Sequence, residues 1–241
     1  MTLYLVFKTN DHLKTVSSIV SPSEKACVVG LKPTRDLLPT DGVIPVSKRQ
    51  DTMGPIARTV KDVAQILDVA VPLDSLPACH RPGASYAEAC GAVDLHGVRI
   101  GVLEHLGQNI DQPQLDAFRD ALVILTGVGA TIVRDALLDG FQDYTSLPDR
   151  MKNTVLDTEF KTDMEAYLLS LVQNPRHIQT FEDLVETVKS ENLEEYPSRD
   201  VDVMLRALNT SKSSSEYATM LEKEKYYASD GGFEGAMDRY G

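Results

Sequence analysis

Only three cysteines, Cys27, Cys79 and Cys90, occur in the 241 residues. Three thiols cannot make a disulfide framework. No apolar run approaches the ~20 residues that a membrane-spanning helix needs. The first apolar stretch, Leu3 to Phe7, is shorter than the ~7–15 residues of a signal-peptide core, and Lys8 follows it where the charge should precede it. Positive charge is also scarce. Lys and Arg number 24 against 36 Asp and Glu, for a net charge of −12. That balance disfavours nucleic acid and anionic membrane surfaces as partners. There is no G-x-x-x-x-G-K-[ST] run, no internal repeat and no low-complexity segment. These absences leave a soluble, acidic chain with a cytoplasmic location as the expectation.

What is present is ordinary in bulk. Hydrophobic residues are 42% and charged residues 25% of the chain, close to the average for globular proteins. The length allows one large domain or two small ones with a sizeable core. Charge is unevenly spread, however. Residues 141–241 hold 20 acidic and 11 basic residues. The plain reading of these acids is a set of solvated helix faces.

Local patterns place the elements. Thr59 and Asp62 make a capping pair, and Val60, Val63, Ala64, Leu67, Ala70 and Val71 follow at helical spacing. Residues 73–92 carry Pro77, Pro82, Gly83 and Gly91 and read as a loop. Val43 to Val46 reads as an edge segment, because Pro45 excludes it from a central strand. The run Val98 to Leu103 reads as a strand. Pro113 opens a helix whose buried face is Leu115, Phe118, Leu122 and Leu125. Gly127 and Gly129 end it, and Ala130 to Val133 forms a second strand. Strand, helix and strand in this order predict a parallel pair with a right-handed crossover. Four helices are expected further on: Met151 to Leu171, Thr180 to Lys189, Val201 to Leu208, and Ser215 to Ala228.

Chemistry is harder to find. Glu104 to Gln108 follows the first strand of the crossover, and no G-x-G-x-x-G stands there to cradle a dinucleotide pyrophosphate. Cys79, His80, Cys90 and His96 fit no common zinc spacing. No metal and no cofactor are expected.

The informative blocks lie near the N-terminus. Thr15-Val16-Ser17-Ser18-Ile19 comes first, then Val29-Gly30-Leu31-Lys32-Pro33-Thr34. Asp41-Gly42-Val43-Ile44-Pro45 follows, then Asp51-Thr52-Met53-Gly54-Pro55 and Arg58-Thr59-Val60-Lys61-Asp62. In this order and spacing the blocks resemble the amidase signature family. Asp157 to Asp163 and Leu193 to Asp200 resemble its fungal branch.

The resemblance implies a hydrolase of amide C–N bonds with a Ser–cis-Ser–Lys triad. Ser18 stands at the nucleophile position, and Thr15, Val16 and Ser17 form the oxyanion and substrate loop. The implied fold class is α/β. It is a partial amidase-signature fold, a mixed β-sheet flanked by helices, with an acidic helical C-terminal part. Residues 1–14 are expected to be an unrelated segment. Residues 15–140 form the α/β part and 141–241 the mainly helical part. The implied partner is a small-molecule amide, with a homo-oligomer or a complementing chain beside it.

The chain also departs from the pattern. The Gly-Ser-Ser-Gly-Gly-Ser block and the lysine motif have no counterpart in the seventeen residues before Ser18. Lys8 and Lys14 do not match that motif. Ser17 replaces a glycine, and His12, Leu13 and Lys14 replace Gly, Thr and an acid. The expectation is a truncated member without the Lys/cis-Ser part and the C-terminal end, inactive alone. The alternative is a non-catalytic amidase remnant or an interaction module.

Overall fold

A computed structural model describes residues 2–5, 19–72, 85–91, 94–103 and 111–241. Two compact units divide the chain. The first takes residues 1–31, 55–146 and 224–241, and the second takes 32–54 and 147–223.

The first unit holds two small sheets. β1 (Thr2–Leu5), β4 (Arg99–Val102) and β5 (Thr131–Val133) form a parallel sheet in the order β1-β4-β5. Ile100 sits opposite Ile132 in the register, and Ile100, Val102 and Leu103 are buried. The expected strand-helix-strand crossover is present. Its helix, α3 (Gln112–Gly127), starts at Asp111, whose carboxylate accepts the Gln114 N–H at 3.1 Å. A side-chain oxygen there satisfies an amide that the first turn leaves unpaired. Of the expected apolar face only Leu122 is fully buried, while Leu115, Phe118 and Leu125 are half-buried. Gly129 ends the element at φ +97°, and a Cβ there would lie 2.6 Å from His96 Nδ1, so the turn needs glycine.

The second sheet is the antiparallel pair β2 (Val29–Gly30) and β3 (Ile56–Ala57). α2 (Val60–Ala70) packs against it. Thr59 caps α2 by accepting the Asp62 N–H at 3.1 Å, as the pattern predicts. Val63, Ala64, Leu67 and Val71 are buried, but Val60 at the first turn is exposed.

Among the described residues the strands do not join in one mixed sheet; the chain is mostly helical. Val43 to Val46 pairs with no strand among the described residues, and the Val46 N–H is donated to Asp51 instead. β1 was not expected, although its apolar run was visible. Helix α4 (Phe141–Ser146) and the last helix, α9 (Phe233–Tyr240), were also not expected. Tyr240 of α9 packs with Leu103, Ala136, Leu138 and Phe141, and its carbonyl accepts from Arg99 Nε at 2.9 Å. Arg239 pairs with Asp139 through both terminal guanidinium nitrogens, Nη1 and Nη2.

The second unit is built on α5 (Asp149–Ser170), α6 (Phe181–Ser190), α7 (Asp202–Leu208) and the first residues of α8 (Ser215–Ala228). All four match expected helices. Thr180 and Asp183 complete a reciprocal capping box on α6. Met164, Leu168, Phe181, Val185 and Ala207 form the core, with the rings of Phe160 and Phe181 edge-on at 5.0 Å. No helix among the described residues is long and apolar enough to cross a membrane.

Candidate functional site

Ser18, Thr15, Val16 and Ser17, the four residues assigned to the chemistry, lie outside the described residues, as do Cys79 and His80. The description resumes at Ile19, directly after the nucleophile position. Ile19 caps α1 (Val20–Lys25), and its carbonyl accepts from the Ser23 N–H at 3.2 Å and the Ser23 hydroxyl at 2.6 Å. Gly30 of β2 lies against this turn. A Cβ at position 30 would stand 2.2 Å from Ser23 Oγ and 2.9 Å from the Ile19 carbonyl oxygen. Contacts that short are not tolerated, so the glycine in the Val29-Gly30-Leu31 block is there for close approach. Leu31 then donates to the Pro55 carbonyl at 3.1 Å. That bond ties two of the motif blocks to one another. The segment following Ser18 is therefore braced from behind by β2, and β2 by β3.

Between α1 and β2 the backbone bends at Cys27, an exposed residue at φ +53°. A side chain in that region crowds its own carbonyl.

The second unit carries the Asp41 to Pro45 block and residues Asp51 to Gly54 of the next one. The Asp51 carboxylate accepts the Val46 N–H at 2.8 Å and the Ser47 N–H at 3.0 Å. The Ser47 carbonyl accepts from the Gln50 and Asp51 N–H groups at 2.9 and 2.7 Å. Asp51 thus closes the 46–51 turn on itself. Helix α5 then holds the turn by two carboxylates. The fully buried Ser47 hydroxyl donates to Glu159 Oε2 at 2.5 Å. Arg49 Nε donates to Glu159 Oε1 at 2.7 Å, and the Lys48 N–H to Asp163 Oδ2 at 2.7 Å. The Tyr217 hydroxyl lies 3.4 Å from Glu159 Oε1. Burial, and then the Glu159 charge, push the Tyr217 phenol above its usual range. Two residues before Glu159 on α5, Asp157 takes a two-bond contact from Arg206 at 2.9 and 3.1 Å.

These acids correct the sequence reading. Asp157 and Glu159 are 4% and 5% exposed, so they are not a solvated helix face. A buried carboxylate needs donors, and the donors are Ser47, Arg49 and Arg206. Composition gives no hint of this, because the partners are more than a hundred residues away for Glu159. The spacing of Asp157, Glu159 and Asp163 inside the fungal-type stretch was the available signal. These contacts tie the 46–51 turn to α5, so the work of the clamp is to fix the turn. The other stretch of that type is different: Leu193 is 88% exposed.

Of the histidines, His96 pairs with Asp94 at 2.5 Å through Nδ1, and both side chains are exposed. His96 hydrogen bonds hold the Asp94 carboxyl below its usual range. Cys90 is exposed on a neighbouring turn. His12 and His105, like Lys8 and Lys14, lie outside the described residues.

Known proteins resemble this chain over most of its length. The sequence pattern of the amidase family matches residues 15–238. An amidase-like protein of Arthroderma benhamiae is 34% identical over 244 residues, which cover 94% of this chain and 40% of that protein. One from Arabidopsis thaliana is 28% identical over 228 residues, covering 90% of this chain and 42% of its own. The solved structure of a peptide amidase from Stenotrophomonas maltophilia superposes with a TM-score of 0.71 at 27% identity, over 92% of this chain and 45% of that one. The chain thus spans about two fifths of the length of the curated relatives it matches.

Proposed function

The chain belongs to the amidase family, and from that premise we propose that it carries the nucleophile-bearing part of a hydrolase acting on carboxamide C–N bonds. The observation that supports this reading is the run of motif blocks from Ser18 to Asp62, contained in the matched residues 15–238. In the proposed reaction the Ser18 hydroxyl attacks the amide carbonyl and forms an acyl-enzyme. The amine leaves with a proton, and water then releases the acid. Backbone N–H groups of Thr15 to Ser17 stabilise the oxyanion, which works because such donors are fixed before the charge develops. A serine hydroxyl at neutral pH needs a base to become a nucleophile. In the family that base is a lysine acting through a second serine on a cis peptide, and a lysine serves as base only when its surroundings keep it neutral. Residues 1–17 contain no match to either. We therefore assign the base to amidase segments outside these 241 residues, contributed by a complementing chain or by a longer form of this one. The complete fold would then be the mixed sheet with helices on both faces.

The substrate class is a small amide; a peptide amide is one member, by analogy with the Stenotrophomonas enzyme. A second reading, a non-catalytic remnant, is favoured by Ser17 standing where the family has glycine. The two are separated by one experiment. The protein is treated with a fluorophosphonate probe, alone and after co-expression with the complementary segments, and is assayed on aliphatic and aryl amides. Labelling and turnover that vanish in Ser18→Ala support the hydrolase. Labelling or hydrolysis that survives Ser18→Ala removes Ser18 as the nucleophile. Silence in both preparations favours the remnant.

A further inference from the structure

We draw no further inference here: the strongest candidate, the exposed apolar run of Leu169, Leu171 and Val172 at the C-terminal end of α5, is an unpartnered surface, and nothing in the structure shows what covers it.

Discussion

Replacing Glu159 by alanine should free the 46–51 turn from α5. The reasoning is local. The carboxylate is 5% exposed and receives the Ser47 hydroxyl, the Arg49 guanidinium and the more distant Tyr217 hydroxyl. Without it the Ser47 hydroxyl loses its acceptor in a fully buried position, and an unsatisfied buried polar group costs about 1–3 kcal/mol. Arg49 adds less, because its side chain is 37% exposed and water replaces the lost contact. Lys48 remains tied to Asp163, and the Asp51 bonds inside the turn persist. The net expectation is about 2 kcal/mol, or roughly 30-fold in the equilibrium between held and released turn, at about 1.4 kcal/mol per tenfold. Trypsin reads this directly, since Lys48 and Arg49 are its targets and both are in the turn. Where reclosing outpaces cleavage, the cutting rate follows the open population. Cleavage at Lys48 and Arg49 should therefore accelerate by roughly 30-fold in Glu159→Ala. Ser47→Ala keeps Arg49 on Glu159 and should give a smaller gain, about fivefold for a single hydrogen bond of ~1 kcal/mol. A Glu159→Ala protein cut within twofold of the parent rate would refute the clamp.

Three further outcomes follow from other positions. Gly30→Ala should lower the unfolding temperature by several degrees, because the new Cβ meets Ser23 and the Ile19 carbonyl; overpacking of this kind costs about 1–3 kcal/mol. Adding Ser23→Gly should restore part of the loss, and equal melting of parent and Gly30→Ala would contradict the contact. Cys27→Gly should stabilise by about 0.5 kcal/mol in urea unfolding, the relief at φ +53° exceeding the added chain entropy; a destabilised variant would show that the thiol matters more than the backbone. Tyr217 should titrate later than ordinary tyrosines when absorbance is followed above pH 10, the usual phenol value. The folded phenol holds its proton more tightly than the unfolded one. Its share of stability is therefore intact below about pH 10 and drains away as pH rises through the raised value. Tyr217→Phe should remove that part of the alkaline loss, and an unchanged alkaline profile would count against the burial.

Local signals carried well where the physics was local. Thr59 with Asp62 and Thr180 with Asp183 work through neighbours within a few residues, and the turn glycine Gly129 through its own positive φ. The parallel pair β4 and β5 was readable because a crossover helix lies between them. Long-range features were not readable in that way. β1 became a strand because β4 offers it a parallel edge, which a four-residue segment does not announce. α9 is short and contains Gly235, so its propensity is weak; Tyr240 packing onto Leu103 and Ala136 supports it. The acids of α5 look alike in sequence, yet Asp157 and Glu159 are buried because Arg206, Ser47 and Arg49 meet them. The candidate site was legible only as blocks in order. Ser18 itself has no short-range signature beyond its neighbours, and the glycine packed against α1, Gly30, gained its meaning from Ser23.

The clamp also sets an order in time. Ser47 and Glu159 are 112 residues apart. At the ~5–20 residues per second of translation, the turn leaves the ribosome roughly 6–20 seconds before the helix that holds it exists. The Asp51 bonds can close at once, being internal to the turn. The neighbouring Val43, Ile44 and Val46, exposed even in the folded chain, wait beside an unsecured turn through that interval. A chaperone that recognises short apolar segments would meet this stretch in that interval, and release from it should coincide with the synthesis of α5.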